Sequence, residues 1–235
     1  MFKGSVVASV TPYNRNGSID VKSVKNLVSF FVREGLDGIF CIGSTGDFFL
    51  LDSGQRQKII TAAAETIKGK VTLFAGVSDM GPVAVRKRLK EAAGCGADIG
   101  VLTAPLGMSL EQSQLVDYVR RIADASPIPV AVYHHPRYPT SFDMESLKLI
   151  FSQGNIVAIK DSEDDRQRLD KILSLAQRTK ISVLTGKEKF IQHCLTNGGH
   201  GSVTSLGNIV PSWMAGIQRG CKKGYQESTL LAETA

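Results

Sequence analysis

The stretch SVVASVTPYNRNGSIDVKSVKNLVSFFVREGLDGIFCI, residues 5–42, decides the fold class, because it contains a strand pattern, a helix pattern and a second strand pattern in succession. It starts with the β-rich apolar run SVVASV, continues into the amphipathic pattern VKSVKNLVSFFVREG and ends in the apolar run GIFCI. Strands that alternate with helices at this spacing predict parallel strands joined by right-handed crossovers.

The same alternation continues to the end of the chain, so that eight apolar runs are present in all. The other six runs are VTLFAG (71–76), IGVLT (99–103), VAVY (130–133), VAIK (157–160), SVLT (182–185) and GSVTS (201–205). Eight units favour closure into a (β/α)8 TIM barrel of the α/β class over an open sheet. We therefore predict one barrel over residues 1–224 and the start of a further helix at 225–235.

The composition, with 43% hydrophobic and 21% charged residues, is that of a soluble globular protein. No apolar run approaches the roughly 20 residues that cross a bilayer, and the opening MFKGSVVASVTPYN predicts a first strand and not a signal peptide. Cysteines 41, 95, 194 and 221 lie far apart without a CxxC pair, which is typical of reduced thiols. We expect a cytoplasmic protein with no membrane partner.

The net charge of +6 does not by itself predict a nucleic-acid partner, because the basic residues are interspersed with acidic ones. The most basic segment, VRKRLKEAAG, carries Val85, Leu89 and Ala92 at helical spacing, so its charges form a solvated helix face. The excess positive charge fits an anionic substrate equally well.

Lys160 is the leading catalytic candidate, because catalytic groups of such barrels lie at the C-terminal ends of the strands. It ends the apolar run Ile156–Ile159, whose neighbours would desolvate the ammonium and lower its pKa. Neutral lysines placed in this way form Schiff bases with carbonyl substrates. The alternative is an exposed lysine paired with Asp161. The acids that follow predict the first turn of a helix behind the cap residue Ser162.

The segment GSTGD, residues 43–47, follows the second strand and offers two hydroxyls, those of Ser44 and Thr45, between two glycines. Amides and hydroxyls exposed in such a turn hold a carboxylate. The alternative is an ordinary turn between a strand and a helix.

The segment VAVYHHPRYPTSF, residues 130–142, raises the question of a metal site, because it contains adjacent histidines. Successive strand residues point to opposite faces, so His134 and His135 are poorly arranged to bind one metal, and no HxH or HExxH pattern is present. We therefore predict no metal site. Tyr133, at the strand end, is a candidate to pass protons to and from a substrate, although packing alone is the alternative.

Together these motifs resemble the dihydrodipicolinate synthase and N-acetylneuraminate lyase superfamily, the class I pyruvate-type aldolases. The likeness covers essentially the whole chain, and its motifs GTTGE, YNxP, the lysine strand and SGDD...GGxGxIS match, in that order, residues 43–47, 133–136, 159–161 and 185–205. The resemblance implies that Lys160 forms the imine with a 2-oxo acid, that Thr45 and Ser44 hold its carboxylate and that Tyr133 shuttles the proton. It also implies that Gly186 and Val203 lie beside the site.

The resemblance further implies a metal-independent carbon–carbon lyase that needs no cofactor beyond the lysine imine. Its partners would be a small 2-oxo acid and an aldehyde, and the chain would form a homo-oligomer, a dimer or a tetramer. The helical extension that family members carry after the barrel would be largely absent.

Departures from the family pattern bear on the substrate. The synthases usually carry a Tyr-Tyr pair after strand four, where this chain has residues 104–107, APLG, and Arg137 directly follows Pro136. The Lys160–Asp161 pair is more similar to the archaeal-type 2-keto-3-deoxygluconate aldolases. We therefore rank first the reversible cleavage of a 2-keto-3-deoxy sugar acid to pyruvate and an aldehyde. The alternatives are dihydrodipicolinate synthase and, in another class, a non-catalytic barrel that binds a 2-oxo acid.

Overall fold

The computed structural model describes residues 1–222 and gives a closed barrel in which eight parallel strands follow one another in chain order. The strands are β1 Gly4–Ala8, β2 Gly38–Cys41, β3 Thr72–Gly76, β4 Ile99–Thr103, β5 Val130–His134, β6 Ile156–Asp161, β7 Ser182–Thr185 and β8 Gly201–Thr204. The helices are α1 Val21–Arg33, α2 Ser53–Ile67, α3 Pro82–Gly94, α4 Gln112–Asp124, α5 Met144–Phe151, α6 Arg166–Ala176, α7 Ile191–Thr196 and α8 Pro211–Lys222. The predicted TIM barrel is confirmed, and the extension predicted at 225–235 lies outside the described residues.

Each predicted strand run coincides with an observed strand to within two residues at either end. Helices α1, α2, α5 and α6 each begin behind an aspartate whose side chain caps the first turn. The Asp52 side chain accepts a hydrogen bond from the Gln55 backbone N–H at 2.7 Å, and the Gln55 side chain accepts one from the Asp52 backbone, which forms a capping box at the start of α2. The predicted helix face of the basic segment is also confirmed, because Val85, Leu89 and Ala92 are the buried residues of α3.

The apolar core consists of two layers that the strands separate. Alternate strand residues point into the barrel, and the others pack against the surrounding helices. The inner layer contains Val6, Ala8, Phe40, Phe74, Ile99, Val101, Ala131, Tyr133, Ala158, Leu184 and Val203. Because Lys160 follows Ala158 by two residues on β6, the strand directs it to the same interior.

The barrel closes where β1 pairs with β8, in a register that runs from Gly4 opposite Gly201 to Val7 opposite Thr204. A buried hydrogen bond adds to this closure. The Ser5 hydroxyl donates to the carbonyl of Met214 in α8 at 2.8 Å, across 209 residues of chain. The first strand is therefore held by the last strand and by the last described helix.

Within residues 1–222, no helix combines the length and the apolar character that a membrane span requires.

Candidate active site

A cavity of about 370 Å³ opens at the C-terminal ends of the strands. Pockets of this size hold small-molecule ligands, and this end of the barrel is where TIM-barrel enzymes carry their active sites. All six residues predicted from the sequence line the cavity: Ser44, Thr45, Tyr133, Lys160, Gly186 and Val203. The barrel therefore brings together residues from five strand ends, which lie up to about 160 positions apart in the chain.

Lys160 lies at the inner side of this cavity and is 8% exposed. Its Nζ atom lies 4.1 Å from the centroid of the Tyr133 ring and 5.3 Å from that of Phe40. Burial lowers the pKa of Lys160 to about 7, and the negative charge of Glu188 opposes this shift. A substantial fraction of the amine is therefore neutral at neutral pH.

The alternative in which Lys160 is exposed and paired with Asp161 is wrong. The next residue along β6, Asp161, points away from the barrel interior and accepts a hydrogen bond from Arg168 Nε at 3.0 Å. Alternation along the strand separates the two side chains, so the carboxylate is not available to hold the lysine in its charged form.

Tyr133 lies beside Lys160, because the two residues are register partners on β5 and β6. Its side chain is 5% exposed, and burial, with the nearby Tyr138, raises its pKa to about 12, whereas hydrogen bonding from Ser162 and Ser44 acts in the opposite direction. The phenol therefore keeps its proton at neutral pH and can donate it to a neighbouring oxygen.

The GSTGD segment forms a tight turn whose ends have unusual backbone conformations. Residues Ser44–Gly46 form one 3-10 turn, and both Ile42 and Asp47 have positive φ, at 61° and 58°. A positive φ is a strained conformation for a β-branched residue such as Ile42. Its carbonyl also fits against Gly76, where a Cβ atom would lie 1.8 Å from the Ile42 oxygen. Strain of this kind clusters at functional sites.

The buried side chain of Arg56, in α2, hydrogen bonds to the segment that follows this turn. Its guanidinium donates to the carbonyl of Phe48 at 2.6 Å, to that of Leu51 at 3.2 Å and to that of Gly76 at 3.3 Å. The side chain thus ties the segment that directly follows the turn, residues 48–51, to the end of β3.

Gly186 and Val203 complete the cavity next to Lys160. A Cβ atom on Gly186 would lie 2.0 Å from Ser162 Oγ and 3.1 Å from Lys160 Cε. A side chain at this position would therefore clash with the Ser162 hydroxyl and crowd the Lys160 side chain. Val203 belongs to the inner apolar layer and provides an apolar wall.

The two adjacent histidines point in different directions. His134 is buried outside the barrel interior, with Nε2 at 2.9 Å from Glu163 Oε2, whereas His135 lines the cavity. His135 Nδ1 accepts a hydrogen bond from the Arg137 backbone N–H at 3.0 Å. Among residues 1–222, no three metal-ligating side chains lie together. The absence of an essential metal stays a prediction.

Several cavity residues were not predicted from the sequence. Ser162, expected to cap a helix, instead lines the cavity, and α6 begins at Arg166 with Asp165 as its cap. Lys187 and Glu188 also line it. Tyr138, which borders a small recess next to the cavity, forms a hydrogen bond of 3.0 Å between its hydroxyl and Ser44 Oγ. No motif marks Tyr138, because its position depends on the path of the loop after β5.

The fold and the cavity define a class: a (β/α)8 barrel with a desolvated lysine and a phenol side by side at its catalytic end. Comparison with known proteins then identifies the family. The sequence profile of the dihydrodipicolinate synthetase family matches residues 1–234, and the chain belongs to this family. Its members form or cleave carbon–carbon bonds through a Schiff base, and the chain is a carbon–carbon lyase of this class.

Two curated relatives and one solved structure illustrate the similarity. The 4-hydroxy-tetrahydrodipicolinate synthase of Geobacter metallireducens is 32% identical over 228 residues, which are 97% of this chain and 78% of the relative. That of Syntrophus aciditrophicus is 30% identical over 216 residues, or 92% of this chain and 74% of the relative. The chloride-inhibited dihydrodipicolinate synthase of Acinetobacter baumannii, complexed with pyruvate, superposes with a TM-score of 0.93 at 25% identity, covering 99% of this chain and 80% of that one.

Proposed function

We propose that the Lys160 amine forms a Schiff base with the keto carbon of pyruvate, or of a longer 2-oxo acid, and that the chain then makes or breaks the adjacent carbon–carbon bond. The observation that carries this proposal is the desolvated Lys160 amine, whose pKa is about 7, inside the cavity. The neutral amine is the nucleophile, and the protonated imine then withdraws electrons from the neighbouring carbon. The bond to the third carbon of the acid can thus form or break without a metal.

Ser44 and Thr45 are proposed to hold the carboxylate of the 2-oxo acid. Both hydroxyls border the cavity, and Arg56 anchors the segment that directly follows their turn to the end of β3. Donors fixed in advance cost little further entropy when the ligand binds. The carboxylate position then sets the keto carbon next to the amine, and Gly186 leaves room for the adduct.

Tyr133 is proposed as the acid–base group. Its phenol lies against the lysine and, with a pKa of about 12, stays protonated across the physiological range. It can therefore give a proton to the oxygen that leaves as the imine forms and can take one back afterwards. General acid–base groups of this kind contribute roughly a hundredfold to ten-thousandfold to rates.

Among the reactions of this class, we propose the 4-hydroxy-tetrahydrodipicolinate synthase reaction, the condensation of pyruvate with aspartate semialdehyde. The names of the curated relatives support it, and this reverses the ranking made from the sequence alone, which put the sugar-acid aldolase first. The mouth of the cavity also carries the cationic side chains of Arg137 and Lys187, which suit an aldehyde with its own carboxylate.

Cleavage of a 2-keto-3-deoxy sugar acid stays the second candidate. One observation favours it: among the described residues that line the cavity, none comes from the loop after β4, residues 104–107. The resemblance leads us to expect a tyrosine pair in this loop in a synthase. The homo-oligomeric assembly and the cytoplasmic location stay predictions.

The central experiment is borohydride reduction in the presence of pyruvate, followed by mass spectrometry of the peptides. We expect a reduced pyruvyl adduct on Lys160 and none in Lys160→Ala. The matched control is Lys189→Ala, which removes an exposed lysine that pairs with Asp164 outside the cavity, and it should leave the labelling intact. Thr45→Val should raise the pyruvate concentration that gives half-maximal labelling. An unlabelled wild-type protein would contradict the proposal and favour a barrel that binds without catalysis.

A separate assay with the same protein distinguishes the two candidate reactions. Condensation of pyruvate with aspartate semialdehyde, without cleavage of 2-keto-3-deoxygluconate, would support the synthase. The reverse result would support the sugar-acid aldolase.

A further inference from the structure

We propose that His134 and Glu163 are positioning residues, whose side chains form a clamp that holds the ends of β5 and β6 at a fixed spacing behind the reactive lysine. Neither residue is among the described residues that line the cavity. The inference rests on the proposed imine chemistry and adds to it two residues that act without contact with the substrate.

The clamp is made by one residue of β5. His134 Nε2 lies 2.9 Å from Glu163 Oε2, and the His134 carbonyl accepts the backbone N–H of Ser162 at 3.0 Å. An ionised carboxylate can only accept, so the ring nitrogen is the donor. The other ring nitrogen, Nδ1, is buried and has no hydrogen-bond partner within residues 1–222. The hydrogen bonding of the ring is therefore directed at Glu163 alone.

The clamp lies directly behind the reactive groups. Tyr133 and Lys160 are register partners on β5 and β6, and the next register pair is His134 with Asp161. Successive strand residues point to opposite faces, so the clamp holds from outside the two strand ends that present the phenol and the amine inside the barrel. The Lys160 Nζ atom lies 4.1 Å from the centroid of the Tyr133 ring, a distance that a shift of either strand end would change.

The segment between β6 and α6, residues 162–165, forms neither helix nor strand, so its position depends on side-chain contacts. The Asp161 carboxylate accepts the backbone N–H of Glu163 at 3.0 Å. Ser162, which lies between them, lines the cavity so close to Gly186 that a Cβ atom there would lie 2.0 Å from the serine hydroxyl. A change in the path of this segment would therefore alter the cavity wall beside the lysine.

The reach of the histidine ring makes the clamp possible. His134 is 1% exposed and packs edge to face against Phe142, with ring centroids 6.4 Å apart, so the ring has a fixed direction. The motif YNxP has an asparagine at this position, and an asparagine amide ends near the place of Nδ1, short of Nε2. A glutamine amide, which is one carbon longer, ends near the place of Nε2 instead.

The test is the rate of imine formation at saturating pyruvate, measured by borohydride trapping in two variants of one position. We expect His134→Asn to lower the rate about tenfold or more, because a misplacement of about 1 Å can cost roughly a hundredfold. His134→Gln, which keeps a donor near Nε2, should stay within about threefold of wild type. The half-saturating pyruvate concentration should change by less than about twofold in both, because the carboxylate is held at the end of another strand.

Glu163→Ala tests the clamp from its other side. This side chain is 28% exposed, so its loss leaves the core intact, and we expect the same fall in rate as in His134→Asn. The two residues act as one unit, so the double variant should be no slower than the slower single variant. The control is His193→Asn, which breaks a histidine–carboxylate pair with Asp170 outside the cavity and should leave the rate unchanged.

Urea denaturation of each variant separates positioning from a purely structural role. A purely structural pair would lower the free energy of unfolding and leave the rate of the folded protein unchanged, which would overturn the inference. A loss of rate that His134→Gln does not recover would also overturn it, as would additive losses in the double variant. In each case a wild-type label on Lys160 would leave the proposed function standing, whereas its absence would remove both.

Discussion

At the scale of the residue, the reactivity of Lys160 depends on pH in a direction that its burial determines. Only the neutral amine adds to a carbonyl carbon. Burial lowers the pKa of this amine from 10.5 to about 7, so the neutral fraction rises as the pH rises through 7. The Glu188 carboxylate favours the charged form and holds the pKa higher than burial alone would.

We therefore expect the rate of imine formation to increase with pH along an acid limb whose midpoint lies near pH 7. Glu188→Gln removes the opposing negative charge, so its midpoint should move to lower pH. Borohydride trapping at short times, across a series of buffers of different pH, measures the acid limb of the wild type and that of Glu188→Gln. The control Glu145→Gln changes an 84% exposed carboxylate on α5 and should leave the midpoint unmoved. A midpoint at the ordinary lysine value would mean that the amine is not desolvated.

Lys160 can be predicted from the sequence, whereas Tyr138 cannot, and the reason is local. Lys160 ends a continuous apolar run, so strand alternation and the barrel rule alone direct it to the catalytic end. Tyr138 lies in a loop, and its hydroxyl approaches Ser44 only because of how the loop folds back after β5. Contacts between a loop and a distant turn leave no periodic signal in the sequence.

At the scale of the element, the turn after β2 and the helix that follows it act as one unit. Arg56 lies on the first turn of α2, and the three carbonyls to which it donates belong to the segment that directly follows the 43–47 turn or to the end of β3. Burial is also the main cause that lowers its pKa to about 10, so the side chain stays charged at neutral pH. Charged donors make the stronger hydrogen bonds of a buried site.

Arg56→Met keeps a long side chain but leaves these carbonyls without their donor. We expect the free energy of unfolding to fall by about 2 to 3 kcal/mol and the half-saturating pyruvate concentration to rise several-fold, because Ser44 and Thr45 lose their support. Urea denaturation and a trapping titration measure the two effects. Arg121→Met, which removes a side chain 73% exposed and paired with Asp117, should cost well under about 1 kcal/mol. An unchanged pyruvate titration in Arg56→Met would mean that other contacts hold the turn.

The elements themselves follow closely from the sequence, and the exceptions have physical causes. Apolar runs locate all eight strands, because a strand of a parallel barrel is buried on both faces. The start of α6 is different. Ser162 precedes three acids and has the pattern of a cap, yet the side chain of Asp165 accepts the backbone N–H groups of Gln167 and Arg168 instead. Glu163 is engaged by His134 and Asp164 by Lys189, so neither carboxylate caps the helix.

At the scale of the whole molecule, the barrel depends on contacts between the two ends of the described chain. The Ser5 hydroxyl is buried and donates to the Met214 carbonyl, so β1 is attached both to β8 and to α8. Loss of a buried hydrogen bond costs more than loss of an exposed one, because water cannot replace the lost partner.

Ser5→Ala should therefore lower the free energy of unfolding by about 1 to 2 kcal/mol, with no change in the slope of the urea transition. The matched control is Ser152→Ala, whose hydroxyl makes a similar bond of 2.7 Å to the carbonyl of Leu149 on an exposed surface. Water replaces that bond, so the control should change stability by less than about 0.5 kcal/mol. Equal losses of unfolding free energy in the two variants would show that the hydrogen bond from Ser5 to Met214 contributes no more to stability than an exposed one.

The pairing of β1 with β8 also determines when the barrel can close during synthesis. The ribosome releases the chain from its N-terminal side, so β1 emerges well before β8, the strand that covers one of its edges. An uncovered edge presents a row of unpaired N–H and C=O groups to any other chain. Between the emergence of β1 and that of β8, this edge is therefore open to pairing with other chains, which is a route to aggregation.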